Sequence, residues 1–209
     1  MIIWIDGVNG VGKSHIASEL EKRLPFKNVE HVDSDIYWIE YLKKNRLQAV
    51  QTGFNSYNNK CYLCELRTML ENMCEEEKIP IVSMSLVTDD CRKELLKYFC
   101  LKNILVIHII LEAETDEILS RIESDTIRNK SDRLEQRNNI GWQKNYLESR
   151  YSDATRISTN QKSQQRVVDE IVSFFTGEKF EKYYKISVAT QIRKTEEILE
   201  KRNHTREIL

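Results

Sequence analysis

The sequence predicts an α/β fold, in which a parallel β-sheet is covered by helices on both faces. Strand-like apolar segments alternate with segments of helical periodicity along most of the chain, and such alternation is typical of parallel sheets. Residues 104–111 are almost entirely apolar, as expected of a central strand buried on both faces. A glycine-rich segment, residues 7–14, separates the first apolar run from the first helical pattern, and this order of strand, glycine loop and helix supports the prediction.

Strands and helices are predicted in regular alternation. The strands are short runs rich in apolar residues, at residues 1–6, 28–32, 79–85, 104–111 and 154–158, the last being the weakest. The helices repeat apolar residues at spacings of three and four, at residues 14–24, 35–47, 57–77, 89–99, 114–123, 134–150 and 164–175. Two further segments, 52–59 and 124–133, are polar. We expect both to be loops at the ligand-binding edge of the sheet that contact a substrate or close over it.

The glycine-rich segment carries the strongest functional signal. Gly7, Gly12, Lys13 and Ser14 match the motif G-x-x-x-x-G-K-[ST], the phosphate-binding P-loop. Its glycines let backbone N–H groups turn toward phosphate oxygens, the lysine reaches the β- and γ-phosphates, and the serine hydroxyl binds Mg²⁺. The motif therefore predicts a site for ATP and Mg²⁺, with the nucleotide held by Asn9, Gly10, Val11, Gly12, Lys13 and Ser14.

A pair of carboxylates, Asp33 and Asp35, directly follows the second predicted strand. Residues at the carboxyl end of that strand face the same crevice as the P-loop. One carboxylate could hold Mg²⁺ and the other could accept a proton from an acceptor hydroxyl group. Alternatively, Asp33 or Ser34 caps the helix that follows. A cap explains one of these residues but not the pair, and we therefore favour a functional role for at least one aspartate.

Four arginines, Arg121, Arg128, Arg133 and Arg137, surround the polar segment 124–133. Phosphoryl transfer gathers negative charge on the γ-phosphoryl group, and mobile arginines can stabilise that charge. The alternative is an ordinary charged surface, because acidic residues are interleaved with these arginines. We favour function for Arg121 and Arg128, whereas both interpretations fit Arg133 and Arg137 equally well.

Composition narrows the class of protein. The chain has 209 residues, 32 basic and 33 acidic, with a net charge of −1, so no overall field attracts it to nucleic acid or an anionic membrane. It has no apolar stretch long enough to span a bilayer and no basic leader, and we expect a cytoplasmic protein with reduced cysteines. Cys61 and Cys64 are expected to pack in the core rather than bind metal, and His108 to be a buried core residue.

These motifs resemble those of the small P-loop kinases of the shikimate, gluconate and nucleotide kinase group. Val32-Asp33-Ser34-Asp35 stands where shikimate kinases carry D-x-D, and residues 119–128 are similar to their helix-to-lid segment. The resemblance covers about residues 1–176 and implies a five-stranded parallel sheet in the order 2-3-1-4-5 with a lid at about 124–133. It also implies that Asp33 serves Mg²⁺, Asp35 the acceptor hydroxyl and Arg128 the lid. Residues 177–209 would then be a helical C-terminal extension.

Other features argue for a substrate other than shikimate. Ser83-Met84-Ser85-Leu86 replaces the glycine triplet that shikimate kinases carry after the third strand. Over its whole length the chain is more similar to the tunicamycin-resistance protein family, in residues 1–5, 81–87 and 108–113. That resemblance implies a nucleotide-binding protein linked to antibiotic resistance, with a drug or nucleoside-like substrate.

Two functions follow from these observations. The first is a kinase that transfers the γ-phosphoryl group of ATP to a hydroxyl of a small metabolite, nucleoside-like compound or antibiotic. The second is a nucleotide-dependent binding or sequestering protein with little or no transferase activity. The aspartate pair favours the kinase, because sequestration needs no general base. The C-terminal extension has a partial apolar stripe, Val188, Ile192 and Leu199, which could pack on the core or pair two subunits as a homodimer.

Overall fold

A computed structural model of the chain describes residues 1–52, 55–152, 154–177 and 180, with the side chains of 47–52 left out. The apolar stripe predicted in the C-terminal extension lies outside the described residues, as does most of that extension. In the described part of the chain, no helix is both long enough and apolar enough to cross a membrane.

The centre of the molecule is a five-stranded parallel sheet. Its strands are β1 (Ile2–Gly7), β2 (Val29–Asp33), β3 (Ile79–Ser83), β4 (Val106–Glu112) and β5 (Thr155–Ser158), in the spatial order β2-β3-β1-β4-β5. The first strand is central, and Trp4 pairs in register with Val82 on one side and His108 on the other. The predicted fold class and strand order are therefore confirmed.

Helices occupy the connections between the strands. They are α1 (Lys13–Arg23), α2 (Ser34–Thr52), α3 (Lys60–Glu75), α4 (Asp89–Cys91), α5 (Tyr98–Leu101), α6 (Thr115–Ser124), α7 (Lys130–Arg150) and α8 (Gln164–Thr176), and a π-helical segment, Arg92–Lys97, joins α4 to α5. Right-handed crossovers place α1 and α8 together on one face, with the other helices on the opposite face. Asn45 has non-helical backbone angles inside α2, close to where the sequence predicts that helix to end.

Two helix starts differ from the prediction by three residues or more, and side-chain caps explain both. The third helix begins at Lys60 rather than 57, because the Asn59 side chain accepts a hydrogen bond from the Tyr62 backbone N–H at 3.0 Å. The last long helix before β5 begins at Lys130 rather than 134, with Asn129 as its cap. Residues 130–133 of the predicted lid are therefore helical, and only residues 125–129 form a loop, here called the lid loop.

The core is continuous across the sheet. Ile2, Ile3, Trp4 and Ile5 of β1 are fully buried, because this strand has neighbours on both edges and helices on both faces. His108 is also buried, as predicted. Since all five strands are parallel, their carboxyl ends meet at one edge of the sheet, and the polar residues that follow them gather there.

Candidate active site

The loop between β1 and α1, residues 7–12, is here called the glycine loop. Gly7 and Gly10 have φ angles of 142° and 78°, in the region that favours glycine. A Cβ atom on Gly10 would lie 2.6 Å from Ile122 Cγ1, and one on Gly7 would lie 2.7 Å from the Leu111 carbonyl oxygen. These glycines therefore allow both the turn of the loop and its close packing on α6 and β4.

A fully buried carboxylate, Asp6, supports the glycine loop from below. Its Oδ1 accepts hydrogen bonds from Gly7 N at 2.6 Å and from Leu86 N at 3.1 Å. Its Oδ2 lies 2.8 Å from His108 Nε2. Sequence analysis missed this role, although a carboxylate at the end of an apolar strand, directly before the motif, is a usable signal. The contacts tie the start of the loop to the segment after β3 and to the interior of β4.

Lys13 lies in the first turn of α1 and folds back over the glycine loop. Its Nζ donates hydrogen bonds to the carbonyl oxygens of Gly7 at 3.1 Å and Val8 at 3.0 Å. Burial lowers the pKa of Lys13, and the carboxylates of Asp35, Asp6 and Asp33 oppose that shift. These two hydrogen bonds therefore hold the ammonium group against the backbone of the glycine loop. Ser14, next to it, is partly exposed in the same turn.

The two predicted aspartates occupy different environments. Oδ1 of Asp33 accepts hydrogen bonds from the backbone N–H groups of Asp35 at 2.9 Å and Ile36 at 3.4 Å, so Asp33 caps α2. Asp35 is reached by solvent from the mouth of the crevice between α2 and the glycine loop. The protein around Asp35 nevertheless shields its carboxylate from part of the surrounding water. This desolvation raises the pKa of Asp35, against the attraction of Lys13, and Asp33 raises it further.

Two tyrosines, one of them fully buried, lie near Asp35. The Tyr62 hydroxyl group donates to the Ser34 carbonyl oxygen at 2.8 Å, and the Tyr57 hydroxyl group bonds to the Asn9 side chain. Burial raises the pKa of Tyr57 to about 12, and the nearby charge of Asp35 contributes. Burial and Asp35 also raise the pKa of Tyr62. Sequence analysis did not identify these tyrosines, because neither belongs to a recognisable motif.

Arg121 is engaged with the protein itself. Its Nη1 donates to the Val11 carbonyl oxygen at 3.2 Å and to Thr159 Oγ1 at 3.0 Å, and its Nη2 donates to the Thr159 carbonyl oxygen at 3.0 Å. It also forms an ion pair with Glu117. The side chain therefore joins α6 to the glycine loop and to the segment after β5.

Arg128 lies in the lid loop, which is organised by Asp125. The Asp125 carboxylate accepts hydrogen bonds from the backbone N–H groups of Ile127 at 2.8 Å and Arg128 at 3.2 Å. It also accepts one from Arg128 Nη1 at 2.6 Å. The positive charge of Arg128 acts on both Lys13 and Asp35, contributing to the lowered pKa of Lys13 and opposing the raised pKa of Asp35. Arg128 is thus paired within the lid loop, and its charge still acts on the groups of the crevice.

Arg133 and Arg137 join the two helices that flank the lid loop. Nη1 of Arg133 donates to the carbonyl oxygens of Glu123 and Asp125, both at 3.1 Å. Nη1 of Arg137 donates to the Glu123 carboxylate at 2.9 Å. In this structure both side chains therefore clamp the ends of the lid loop together.

The predicted core packing of the cysteine pair is wrong for one member. Cys61 is half-buried, whereas Cys64 is exposed, with its Sγ 3.2 Å from Arg67 Nη2. Arg67 also pairs with Glu94 at 2.9 Å and stacks 4.2 Å above the Tyr98 ring. Among the residues described, no group of three or more His, Cys, Asp and Glu side chains could hold a metal ion.

The crevice brings together the glycine loop, an ammonium group, two carboxylates and an arginine on a separate loop. Lys13, Asp33, Asp35 and Arg128 are close enough for their charges to interact, whereas Arg121 is bonded to Val11, Thr159 and Glu117. Such an arrangement suits phosphoryl transfer, in which positioning and charge stabilisation supply most of the catalysis.

Solved structures with the same fold are P-loop kinases and a resistance protein. A tunicamycin resistance protein from Deinococcus radiodurans is 22% identical, with a TM-score of 0.61 over 84% of this chain and 95% of that chain. An APS kinase from Mycobacterium tuberculosis is 17% identical, with a TM-score of 0.61 over 84% and 97%. A shikimate kinase from Bacteroides thetaiotaomicron is 16% identical, with a TM-score of 0.58 over 85% and 99%.

Sequence comparison gives the family. No curated protein matches the chain significantly. The sequence profile of shikimate kinase, however, matches residues 9–176, a range that runs from the glycine loop to the end of α8 and includes the aspartate pair and the lid loop. With the sheet order and the crevice in place, this match shows that the chain belongs to the shikimate kinase family of small-molecule kinases.

Proposed function

We propose that this chain transfers the γ-phosphoryl group of ATP to a hydroxyl group of a small molecule, with Asp35 as the general base. The observation that carries the proposal is the convergence of Lys13, Asp35 and Arg128 on one crevice, where their charges interact. Each of these groups comes from a different element: α1, α2 and the lid loop. Together they provide the three functions that the reaction needs, which are phosphate binding, proton removal and charge stabilisation.

The glycine loop suits a nucleotide triphosphate. Backbone amides of Gly10, Val11 and Gly12 lead into the N-terminus of α1, whose dipole favours anions. The ammonium group of Lys13, which donates to two loop carbonyl oxygens in this structure, would exchange them for oxygens of the β- and γ-phosphates. Ser14 and Asp33 supply oxygen ligands of the kind that Mg²⁺ prefers. When bound, Mg²⁺ neutralises charge on the β- and γ-phosphates.

The chemical step follows from these positions. The acceptor hydroxyl oxygen attacks the γ-phosphorus, its proton passes to the Asp35 carboxylate, and the bond to the β–γ bridging oxygen breaks to release ADP. A raised pKa makes Asp35 a better proton acceptor than an ordinary aspartate. Arg128 would stabilise the charge that develops on the transferred group. The lid loop that carries it would close over the nucleotide.

The acceptor is proposed to be a neutral hydroxyl compound, such as a nucleoside-like molecule or an antibiotic. The charged groups that act on Asp35 are Lys13, Asp33 and Arg128, and the phosphates would engage the two cations. Arg67 of α3, a further cation, is paired with Glu94. The similarity in fold to a tunicamycin resistance protein is consistent with this class.

A sequestering protein is the second candidate. It is favoured by β3, Ile79–Ser83, which carries no carboxylate where many ATPases keep a metal-binding aspartate. A protein of this kind would bind nucleotide and drug but would turn over ATP slowly or not at all.

An acceptor screen tests the proposal. Mg·ATP consumption and product mass are measured with pairs of compounds that differ in one carboxylate: glucitol and gluconate, methyl shikimate and shikimate, and a nucleoside and its 5′-carboxylate. Nucleosides and aminoglycosides extend the neutral side of the panel. The proposal predicts phosphorylated product from a neutral member, and at least about a hundredfold less of it from the Asp35→Asn variant. Tight binding of a compound without any product would favour sequestration.

A further inference from the structure

Helix α7 makes a direct contact with the glycine loop through one buried amide. The side chain of Gln143 is fully buried. Its Oε1 accepts a hydrogen bond from Asn9 N at 2.9 Å. The contact joins residues that are 134 positions apart in the chain. It therefore links the helix that follows the lid loop to the loop that is proposed to hold the phosphates.

The other half of the same amide has no partner. Gln143 Nε2 is buried and makes no hydrogen bond with the described residues. Rotation of the amide cannot relieve this, because Asn9 N is a donor and requires the oxygen to face it. An unpaired buried donor destabilises the structure. A glutamine is also unnecessary for holding Asn9 N, since any acceptor would serve. The donor is therefore a group whose partner is expected to arrive with a ligand.

The position of this amide identifies that ligand. Asn9 follows Val8, whose carbonyl oxygen accepts a hydrogen bond from Lys13 Nζ at 3.0 Å. The side chain of Asn9 bonds to Tyr57, whose pKa responds to the charge of Asp35. Gln143 thus adjoins the glycine loop one residue away from a carbonyl oxygen that the lysine ammonium group contacts. In the proposed reaction, the γ-phosphoryl group lies between that ammonium group and Asp35.

We propose that Gln143 is a ligand-binding residue of this site, with Nε2 donating a hydrogen bond to an oxygen of the γ-phosphoryl group of bound ATP. The inference rests on the proposed kinase function. Phosphoryl oxygens are acceptors, so they complement the unpaired N–H groups, and Oε1 would keep Asn9 N in place at the same time. Because α7 begins at the end of the lid loop, this contact would also let that helix distinguish ATP from ADP.

Nucleotide binding to Gln143 variants tests the inference. Gln143→Glu keeps an oxygen for Asn9 N but removes the donor, and Gln143→Met removes both without adding charge. The exposed amide of Asn145 on the same helix provides the matched control, Asn145→Asp. Calorimetry measures the affinities of each protein for Mg·AMPPNP, a non-hydrolysable ATP analogue, and for Mg·ADP.

Both Gln143 variants should bind Mg·AMPPNP at least about tenfold more weakly, as expected for a lost hydrogen bond to a charged group. Their affinity for Mg·ADP should change less than about twofold, and the control should match the wild type. Equal weakening toward both nucleotides would mean that Gln143 only supports the loop, and unchanged affinities would also overturn the inference. Failure of the wild-type protein to bind either nucleotide would instead contradict the kinase proposal. If Gln143→Met does not fold, Gln143→Glu alone decides the outcome.

Discussion

The nucleotide side and the acceptor side of the crevice differ in how strongly the protein supports them. On the nucleotide side, backbone groups of the glycine loop are bonded by Asp6, Ser85, Arg121 and Gln143, which come from four different elements or connections. On the acceptor side, Asp35 is exposed and Ile36 beside it is 61% exposed, while Ile127 of the lid loop is 91% exposed. The protein thus bonds the backbone of the glycine loop from several elements, whereas the side chains of Asp35, Ile36 and Ile127 on the acceptor side are open to solvent.

This difference suggests where specificity resides. A phosphate site works only if several N–H groups point to fixed places, so it is built from strand ends and a helix terminus. The acceptor side is formed by segments with fewer contacts, and these can change without disturbing the sheet. The five predictions below test the comparison, beginning with the largest expected effect.

The largest effect is expected at the acceptor side. Asp35→Asn should reduce phosphoryl transfer by about a hundredfold or more, the usual contribution of a general base, and leave nucleotide affinity unchanged. Asp33→Asn is the paired variant and should instead raise the concentration of Mg²⁺ that is required. Steady-state kinetics over a Mg²⁺ series separates the two. Identical behaviour of both variants would contradict the proposed division of roles.

The lid loop should matter more for transfer than for binding. Arg128→Ala should slow transfer by about tenfold to a hundredfold, because its charge is needed most in the transition state. Its effect on ATP affinity should be much smaller. Amides of residues 125–129 should exchange hydrogen rapidly in the free protein and become protected with AMPPNP and Mg²⁺. Unchanged exchange together with full activity of Arg128→Ala would make this segment an ordinary surface loop.

The buried carboxylate of Asp6, which bonds to the glycine loop, should contribute to the free energy of unfolding. Asp6→Ala leaves two buried backbone N–H groups without their acceptor, and it should lower the free energy of unfolding by about 2 kcal/mol. Asp6→Asn keeps an acceptor oxygen and should cost less. Urea unfolding measures both. Equal stability of Asp6→Ala and the wild type would show that the loop does not depend on this carboxylate.

The phosphate-binding lysine should affect binding itself. Lys13→Ala should lower Mg·ATP affinity or turnover by at least about tenfold, or about 1.4 kcal/mol. Calorimetry gives the affinity, and Lys22→Ala, an exposed lysine on the same helix, serves as the control. Unchanged binding and turnover in Lys13→Ala would exclude the P-loop role of this segment.

The smallest predicted effect is the contribution of Asp35 to the pH dependence of stability. Because desolvation raises the pKa of Asp35 in the folded protein, the folded state holds that proton more tightly than the unfolded state does. Stability is therefore lost as pH rises from the unfolded pKa through the folded one. Asp35→Asn should be more stable than the wild type at pH 7, by less than about 1 kcal/mol since solvent screens the group. The difference in stability between the variant and the wild type should disappear at pH 3. A difference that persists at pH 3 would show that titration of Asp35 is not its cause.

The fold could be predicted because its determinants are local. The apolar run of β4, the glycine motif and the helical spacings are each readable within a short window, and the family resemblance supplied the order of the strands. Errors occurred at helix starts, where a single cap decides the boundary. Asn129 starts α7 four residues early, and Asn59 starts α3 three residues late.

The site could be predicted only in part, because some of its contacts are distant in the sequence. Lys13, Asp33 and Asp35 belong to local motifs that are recognisable. Gln143 bonds to Asn9 across 134 residues, and no pattern near either residue indicates that contact. Asp6 was overlooked for a different reason: in the sequence it ends an apolar strand, and only the folded chain shows its two backbone partners.

The contacts of Arg133 and Arg137 limit how much of the lid loop must be ordered when a ligand binds. The lid loop has five residues, 125–129, and its two ends are already joined by these arginines to Glu123 and Asp125. Joining the loop at its base leaves fewer residues to order when a ligand binds. The ends of the loop are then fixed when the chain folds, and only its exposed tip, around Ile127, would remain to be ordered in each catalytic cycle.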